Sequence, residues 1–146
     1  MARLTVNEAG TSGYTDELIL TPSDFTTAAG NTTTVVNFPV KAGDLIDAVA
    51  LVVTEAFSTS SNITIGPDGT ARSAGADADG FIEADNANAT GTSVNTGDLL
   101  DDGGDAQNNV FKADADGNIT ITAASALDGD SQGKMRVLFS VKRTNF

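Results

Sequence analysis

Residues 133–143, GKMRVLFSVKR, alternate apolar and polar side chains along most of their length. Because successive side chains of a β-strand point to opposite faces, this pattern predicts a strand with one face in a core and one in solvent. Leu138 is the one apolar residue in the otherwise polar set. The inward set is Met135, Val137, Phe139 and Val141, and the outward set includes Arg136, Ser140 and Lys142.

The same period of two recurs in TTTVVNFPV (32–40), SNITIG (61–66) and GNITITAA (117–124). Nineteen threonines fit this pattern, since a β-branched hydroxyl side chain suits the solvated face of a strand. Many short strands with turn signals between them predict an all-β antiparallel β-sandwich or barrel. The strands are predicted near 3–7, 16–20, 33–40, 46–57, 61–66, 80–84, 109–114, 117–124 and 133–143.

The stretch DAVALVVTEAF (47–57) differs because it is apolar on both faces from Ala48 to Val53. A strand of this kind is favoured at the centre of a sheet whose two sides are both covered. A helix is the rival interpretation, but the valines favour a strand. The covering element is either a loop of the same subunit or a neighbouring subunit.

Length and composition predict one domain over 1–146, with 1–15 as an N-terminal arm or first strand. Leu, Ile, Val and Phe make up less than a quarter of the chain, so the core is thin and an oligomer is expected. The chain has no Cys or His, which excludes disulfides, thiolate metal sites and histidine catalysis. It also lacks the G-x-S-x-G, P-loop and dinucleotide-binding patterns. We therefore expect neither an enzyme nor a cofactor.

The net charge of −12 argues against a nucleic-acid partner, since such binding depends on many Lys and Arg contacts to phosphates. No apolar run approaches the roughly 20 residues that cross a bilayer, and MARLTVNEAG has no apolar secretion segment. We expect no membrane partner and synthesis in a cytoplasm. The cationic end at 133–146 contrasts with 66–109, an acidic stretch that is predicted to be mostly loop.

Five Asp-Gly pairs punctuate the chain, two of them inside DADG at 77–80 and 114–117. Neither DADG fits an EF-hand, because the first and last ligand positions are not carboxylates. A looser, weak calcium site in the acidic stretch stays open. Its candidate ligands are Asp77, Asp79, Glu83 and Asp85.

The Asp-Gly pairs are more simply interpreted as turns, because glycine accepts a positive φ and aspartate tolerates it. FKADADGNITITA (111–123) is predicted to form a hairpin at Asp116-Gly117. GPDGT (66–70) and ALDGDSQGK (126–134) are predicted to be turns between strands. TPSDF (21–25) predicts one helical turn with Thr21 as its cap, and a second short turn is possible at TGDLLDD (96–102).

Six stretches in order carry a family resemblance. They are DELILTPSDFTT (16–27), NTTTVVNFPV (31–40), AGDLIDAVALVVTEAF (42–57), ITIGPDG (63–69), DADGFIEA (77–84) and DADGNITITAASALDGDSQGKMRVLFSVKR (114–143). Together they resemble the small jelly-roll decoration proteins of tailed-phage heads, over most of the chain from about Asp16 onward. These motifs are packing and turn signatures and include no active residue.

The resemblance implies a β-sandwich of jelly-roll type that assembles as a homotrimer on the outer capsid surface, binds between major capsid proteins and stabilises the virion. Some members of that family are bases for head fibres. The cationic end is our candidate for contact with the shell or between subunits; its alternative is a solvated last strand. A carbohydrate-binding or adhesin-type β-sandwich module is the alternative function. The interface candidates are Arg3, Arg136, Leu138, Lys142 and Arg143.

Overall fold

The computed structural model describes residues 2–4, 13–27, 34–100 and 110–143. They form an all-β domain of two antiparallel sheets that pack together as a sandwich. The strands are β1 Ala2–Leu4, β2 Asp16–Leu20, β3 Thr26–Thr27, β4 Thr34–Val40, β5 Leu45–Glu55, β6 Asn62–Pro67, β7 Ile82–Asn86, β8 Gly91–Val94, β9 Phe111–Lys112, β10 Gly117–Ala123 and β11 Lys134–Lys142.

Sheet A has the order β1-β2-β11-β5-β8, and β9 also pairs with β5. Sheet B has the order β3-β4-β10-β6-β7. All the pairings are antiparallel. The strands β2, β4, β5 and β6 therefore alternate between the two sheets. Of the last two strands, β10 lies between β4 and β6 in sheet B, and β11 lies between β2 and β5 in sheet A.

The period-two pattern correctly predicts the inward side chains, but not a solvated outer face along all of β11, since the outward Ser140 is buried at 7% exposure. The four inward positions of β11 are all buried, and so are Ile119 and Ile121 on β10. Phe38 of sheet B stacks on Phe139 of sheet A, with ring centroids 4.1 Å apart and planes 15° from parallel. This stack lies between the two sheets and joins them through buried aromatic surface.

The prediction of a central strand is confirmed for β5, but its outer face is only partly covered, since Ala48 and Val52 are half-buried. It lies between β11 on one side and β8 and β9 on the other. Successive residues are buried on both faces, since Ala50 is 2% exposed and Leu51 is fully buried. Small and branched side chains here suit a central strand whose outer face is largely shielded by neighbouring strands.

The hairpin predicted at Asp116-Gly117 is wrong. β9 pairs with β5 in sheet A, whereas β10 pairs with β4 and β6 in sheet B, so the DADG at 114–117 crosses from one sheet to the other. The Asp116 carboxylate accepts a hydrogen bond from the backbone N–H of Ala42 at 2.9 Å. A Cβ on Gly117 would lie 2.5 Å from the backbone nitrogen of Ala71. Glycine is thus needed here for close packing.

The acidic stretch contains more strand than expected. β7 lies near its predicted place. β8 was not predicted, because its sequence GTSV has no clear apolar alternation; it is a strand that pairs with β5 at the edge of sheet A. The described part of this stretch otherwise consists of turns and loops, and residues 101–109 lie outside the description. The predicted first strand at 3–7 is described only as β1.

The predicted helical turn is confirmed as a 3-10 turn over Pro22–Asp24, in which the Asp24 carboxylate accepts the Thr21 N–H at 2.8 Å. Turns also occur near Gly69 and near Asp128, as predicted. In TGDLLDD, the N–H of Leu100 bonds the carbonyl of Gly97 at 3.1 Å.

Candidate interaction surfaces

Three of the four cationic side chains in 133–143 are paired within the fold, whereas Lys134 is exposed at the start of β11. Arg136 Nη2 lies 2.5 Å from Glu17 Oε2, and Lys142 forms an ion pair with Asp47. β11 lies between β2 and β5, so its outward cations meet acids on both neighbouring strands, where opposite charges attract. The positive charge predicted to face a partner is therefore largely neutralised inside the subunit.

Arg143 follows β11 and holds a buried carboxylate. Its two terminal nitrogens bond Asp16 at 3.1 and 2.8 Å, and the Asp16 side chain is fully buried. The hydrogen bond with Asp16 raises the pKa of Arg143 above its ordinary value, although partial burial opposes the shift. Removing one partner of such a buried pair is costly because the other charge stays uncompensated. Arg143 thus has a structural role whether or not it also contacts a partner.

Leu138 was predicted as an interface residue because it interrupts the polar face of its strand. It is buried, at 6% exposure, and so offers little accessible surface for contact. The side chain of Arg3 lies outside the description, and its backbone pairs with Leu18. Reversing Arg136, Lys142 and Arg143 to Glu would consequently test folding as much as binding.

The four calcium candidates are not gathered into one site. Among the residues described, no group of three or more Asp or Glu side chains is arranged to hold a metal ion. Asp77 and Asp79 lie in a turn closed by the Gly80 N–H on the Asp77 carbonyl. Glu83 and Asp85 lie on β7, where Asp85 accepts a bond from Ser93 Oγ at 2.9 Å.

Asp77 and Asp79 interact directly. Partial burial raises the pKa of Asp77, and the hydrogen bond with Asp79 and the negative charge of nearby carboxylates raise it further, against the opposing effect of Arg72. Like charges held close together favour protonation of one of them. A raised folded-state pKa means that ionising Asp77 costs free energy in the fold, so its charge works against this compact turn at neutral pH.

The outer side of sheet B carries a surface that sequence reasoning treated only as solvated strand positions. Its central strands β4, β10 and β6 are hydrogen-bonded neighbours, and the residues that alternate with their buried side chains point away from the core. None of these residues is charged, although the chain has a net charge of −12. We name this surface the neutral face; it comprises Val35, Asn37, Pro39, Asn62, Thr64, Asn118, Thr120 and Thr122.

The acidic stretch borders one end of the neutral face. Gly66 continues β6 past Thr64, and a Cβ there would lie 1.8 Å from the backbone oxygen of Asp77. The segment around Asp77 therefore passes directly against the strand at this point. The sequence does show that the outward positions of these three segments lack charge. The neutral face arises, however, only because the three strands pair side by side in sheet B.

The loop after β6 is anchored by Asp68. Its carboxylate accepts backbone N–H groups from Ala71 at 2.8 Å, Thr70 at 3.0 Å and Asn118 at 3.2 Å. Burial opposes ionisation, but these hydrogen bonds lower the pKa of Asp68 below its ordinary value. One side chain thus ties the loop to β10 at the edge of the neutral face.

We expect Asp68→Ala to lower the free energy of unfolding by about 2 kcal/mol, since several backbone donors lose a charged acceptor. Urea denaturation at neutral pH measures this loss. The matched control is Asp128→Ala, which removes an exposed carboxylate without a hydrogen bond and should change stability by less than about 0.5 kcal/mol. Equal effects from the two variants would contradict the anchoring role.

The contribution of Asp68 should also depend on pH. A lowered pKa in the folded state means that the stabilisation is complete above the unfolded value of about 3.9 and is lost as the pH falls through the folded pKa. The difference between the native protein and Asp68→Ala should therefore shrink on acidification below about pH 4. A difference that stays constant in acid would show that the carboxylate charge is not responsible.

No protein-family model matches the chain, and neither a curated protein nor a solved structure was found to match it. No helix within the described residues is long and apolar enough to cross a membrane. The fold and its surfaces define an all-β sandwich domain with an uncharged face on the central strands of sheet B.

Proposed function

We propose that this chain is a structural virion protein that decorates and stabilises the outer surface of a phage capsid. In this proposal it binds between major capsid proteins, self-associates as a homotrimer, and reaches the capsid after synthesis in the host cytoplasm. The observation that carries the proposal is the neutral face of an otherwise strongly acidic protein. The resemblance of six sequence stretches to head decoration proteins supports it independently.

The order of the strands supports a jelly roll as the finer description of the sandwich. Consecutive strands from β4 to β6 alternate between the sheets, β11 lies beside β2, and β10 lies beside β4. This nesting of late strands beside early ones is the arrangement expected when two Greek keys form a jelly roll, an architecture found in viral capsid and lectin domains.

The neutral face suits protein contact for an energetic reason. Burying threonine hydroxyls and asparagine amides costs far less than burying carboxylates, provided that they find hydrogen-bond partners. Two acidic molecules can also approach through such a face without opposing like charges. The segment around Asp77 borders this face at Gly66, so its carboxylates would lie in the polar rim of such a contact.

Contacts of moderate strength are enough for this function. A stable interface needs roughly 800 Å² on each partner, which can be spread over several contacts. When identical subunits bind a repeating shell, linked weak contacts add through avidity. The neutral face would supply one such contact for each subunit, on a rigid three-strand platform.

The proposal is tested by mixing the purified protein with undecorated capsids of its phage and imaging them by electron microscopy. We expect ordered density on the outer surface at the junctions between capsid proteins, with three subunits at each site. Binding to a glycan array without binding to capsids would instead favour the carbohydrate-binding alternative.

A charged substitution within the neutral face should weaken capsid binding. We expect Thr122→Glu to lower the affinity about tenfold or more, because an unpaired carboxylate would be desolvated at the centre of the contact. The measurement is co-sedimentation with capsids, beside a thermal melt that checks the fold.

The matched control is Thr92→Glu, which changes a threonine exposed on the edge strand β8 of sheet A. It should bind as the native protein does. If Thr122→Glu is folded and binds equally well, the neutral face is not the contact, even though capsid binding by the native protein would still support the proposed function.

A further inference from the structure

Asp-Gly pairs are chemically labile in proteins because glycine, without a Cβ, lets its backbone nitrogen approach the preceding carboxyl group. They occur here at 68–69, 79–80, 102–103, 116–117 and 128–129. The pair at 102–103 lies outside the described residues. The other four have different surroundings, and reaction requires a mobile carboxyl group beside an accessible amide.

Two pairs are protected by bonds to the carboxylate. Asp68 accepts three backbone N–H groups, which fix the position of its carboxylate. Asp116 accepts the Ala42 N–H and forms an ion pair with Lys41. The following residue, Gly117, begins β10 and packs closely against the backbone of Ala71. Either carboxylate must break these bonds before it can react.

The third pair is protected at its glycine. The Gly80 N–H donates to the Asp77 carbonyl at 3.0 Å, and Gly80 is buried. A Cβ there would lie 2.6 Å from the side chain of Leu99, so the backbone is closely packed. Attack by this nitrogen requires local opening of the turn.

The fourth pair, Asp128-Gly129, is unprotected. It occupies the two central positions of a turn closed by the Asp130 N–H on the Leu127 carbonyl at 3.0 Å. In such a turn the N–H of the third residue, here Gly129, is not used by the closing bond. Both residues are exposed, and apart from the adjoining residues no atom lies within 4 Å of a Cβ built on Gly129.

We propose that Asp128-Gly129 is a site of spontaneous aspartate isomerisation in the folded protein, and that it reacts ahead of the other three described Asp-Gly pairs. The Gly129 amide nitrogen attacks the side-chain carboxyl carbon of Asp128, and water leaves to give a cyclic imide. Water then opens either carbonyl of that ring, which gives back aspartate or gives isoaspartate, with no net change in mass.

The product would alter the connection between the two sheets. This turn joins β10 to β11, and isoaspartate adds one methylene to its backbone. Two residues later, the Asp130 carboxylate accepts the Thr59 N–H at 2.9 Å and the Thr59 hydroxyl at 2.5 Å. Lengthening the turn shifts Asp130 relative to Thr59 and loosens this link.

The test is to incubate the native protein in warm neutral buffer and to map isoaspartate by peptide mass spectrometry with electron-transfer fragmentation. Labelling with isoaspartyl methyltransferase and S-adenosylmethionine gives a second readout. Isoaspartate should form at Asp128 at least about tenfold faster than at Asp68, Asp79 or Asp116, since even a modest opening cost slows those sites by that factor.

Two controls show whether the fold is responsible. In urea the four sites should react at similar rates, because the protecting bonds are gone. Gly129→Ala should fold normally and suppress the reaction at 128, since a Cβ hinders the attacking nitrogen. Equal rates at the four sites in the folded protein, or faster reaction at a protected one, would overturn the proposal.

Discussion

Replacing Phe38 by alanine is expected to lower the free energy of unfolding by about 3–5 kcal/mol, a large part of the total stability of a small domain. Phe38 is fully buried and stacks on Phe139 of the opposite sheet. Its removal leaves a cavity between the sheets and deletes an aromatic contact that joins them. Urea denaturation monitored by far-UV circular dichroism measures the loss.

The matched control for this variant is Phe38→Leu. Leucine keeps most of the apolar volume, so the cost should be no more than about 1–2 kcal/mol. If the leucine and alanine variants are equally destabilised, the stacking of the rings matters more than the filling of the space. If neither is destabilised, the two sheets do not depend on this contact.

Gly66→Ala is the second change with a large expected effect. The added Cβ would lie 1.8 Å from the Asp77 backbone oxygen, so either β6 or the loop must move. Backbone atoms cannot rotate away as a side chain can, and we expect a cost of about 3 kcal/mol or more, at the upper end for overpacking. A fall in melting temperature measures it.

Gly91→Ala is its matched control, because Gly91 also lies in a strand and nothing is within 4 Å of its Cβ position. Alanine there should be neutral or slightly stabilising, as it restricts the unfolded chain. A Gly66→Ala variant as stable as the native protein would show that the loop does not pack against β6 in solution.

The alternation of apolar and polar residues predicted the main strands and which of their side chains point inward, since that depends only on the period of a strand. It also predicted the central position of β5 from an apolar run without a polar face. It failed at β8 and at the hairpin, because a short edge strand and a crossing between sheets are decided by distant partners.

The candidate contact surface moved from the cationic end to the neutral face for a similar reason. The positive charges of the last strand are visible in the sequence, but their acidic partners Glu17, Asp47 and Asp16 lie about 95 residues or more away along the chain. Whether a charge is available to a partner depends on which strands become neighbours. Local sequence contains no information on that.

By itself, then, the sequence determined an all-β class, a thin core, an acidic character and the inward or outward direction of most strand residues, because these follow from composition and local geometry. Only the tertiary structure decided that three uncharged segments form one neutral face, that Arg136, Lys142 and Arg143 are paired internally, and that one of the four described Asp-Gly pairs is left unprotected. Each of these depends on contacts between residues far apart in the chain, which arise when the two sheets pack.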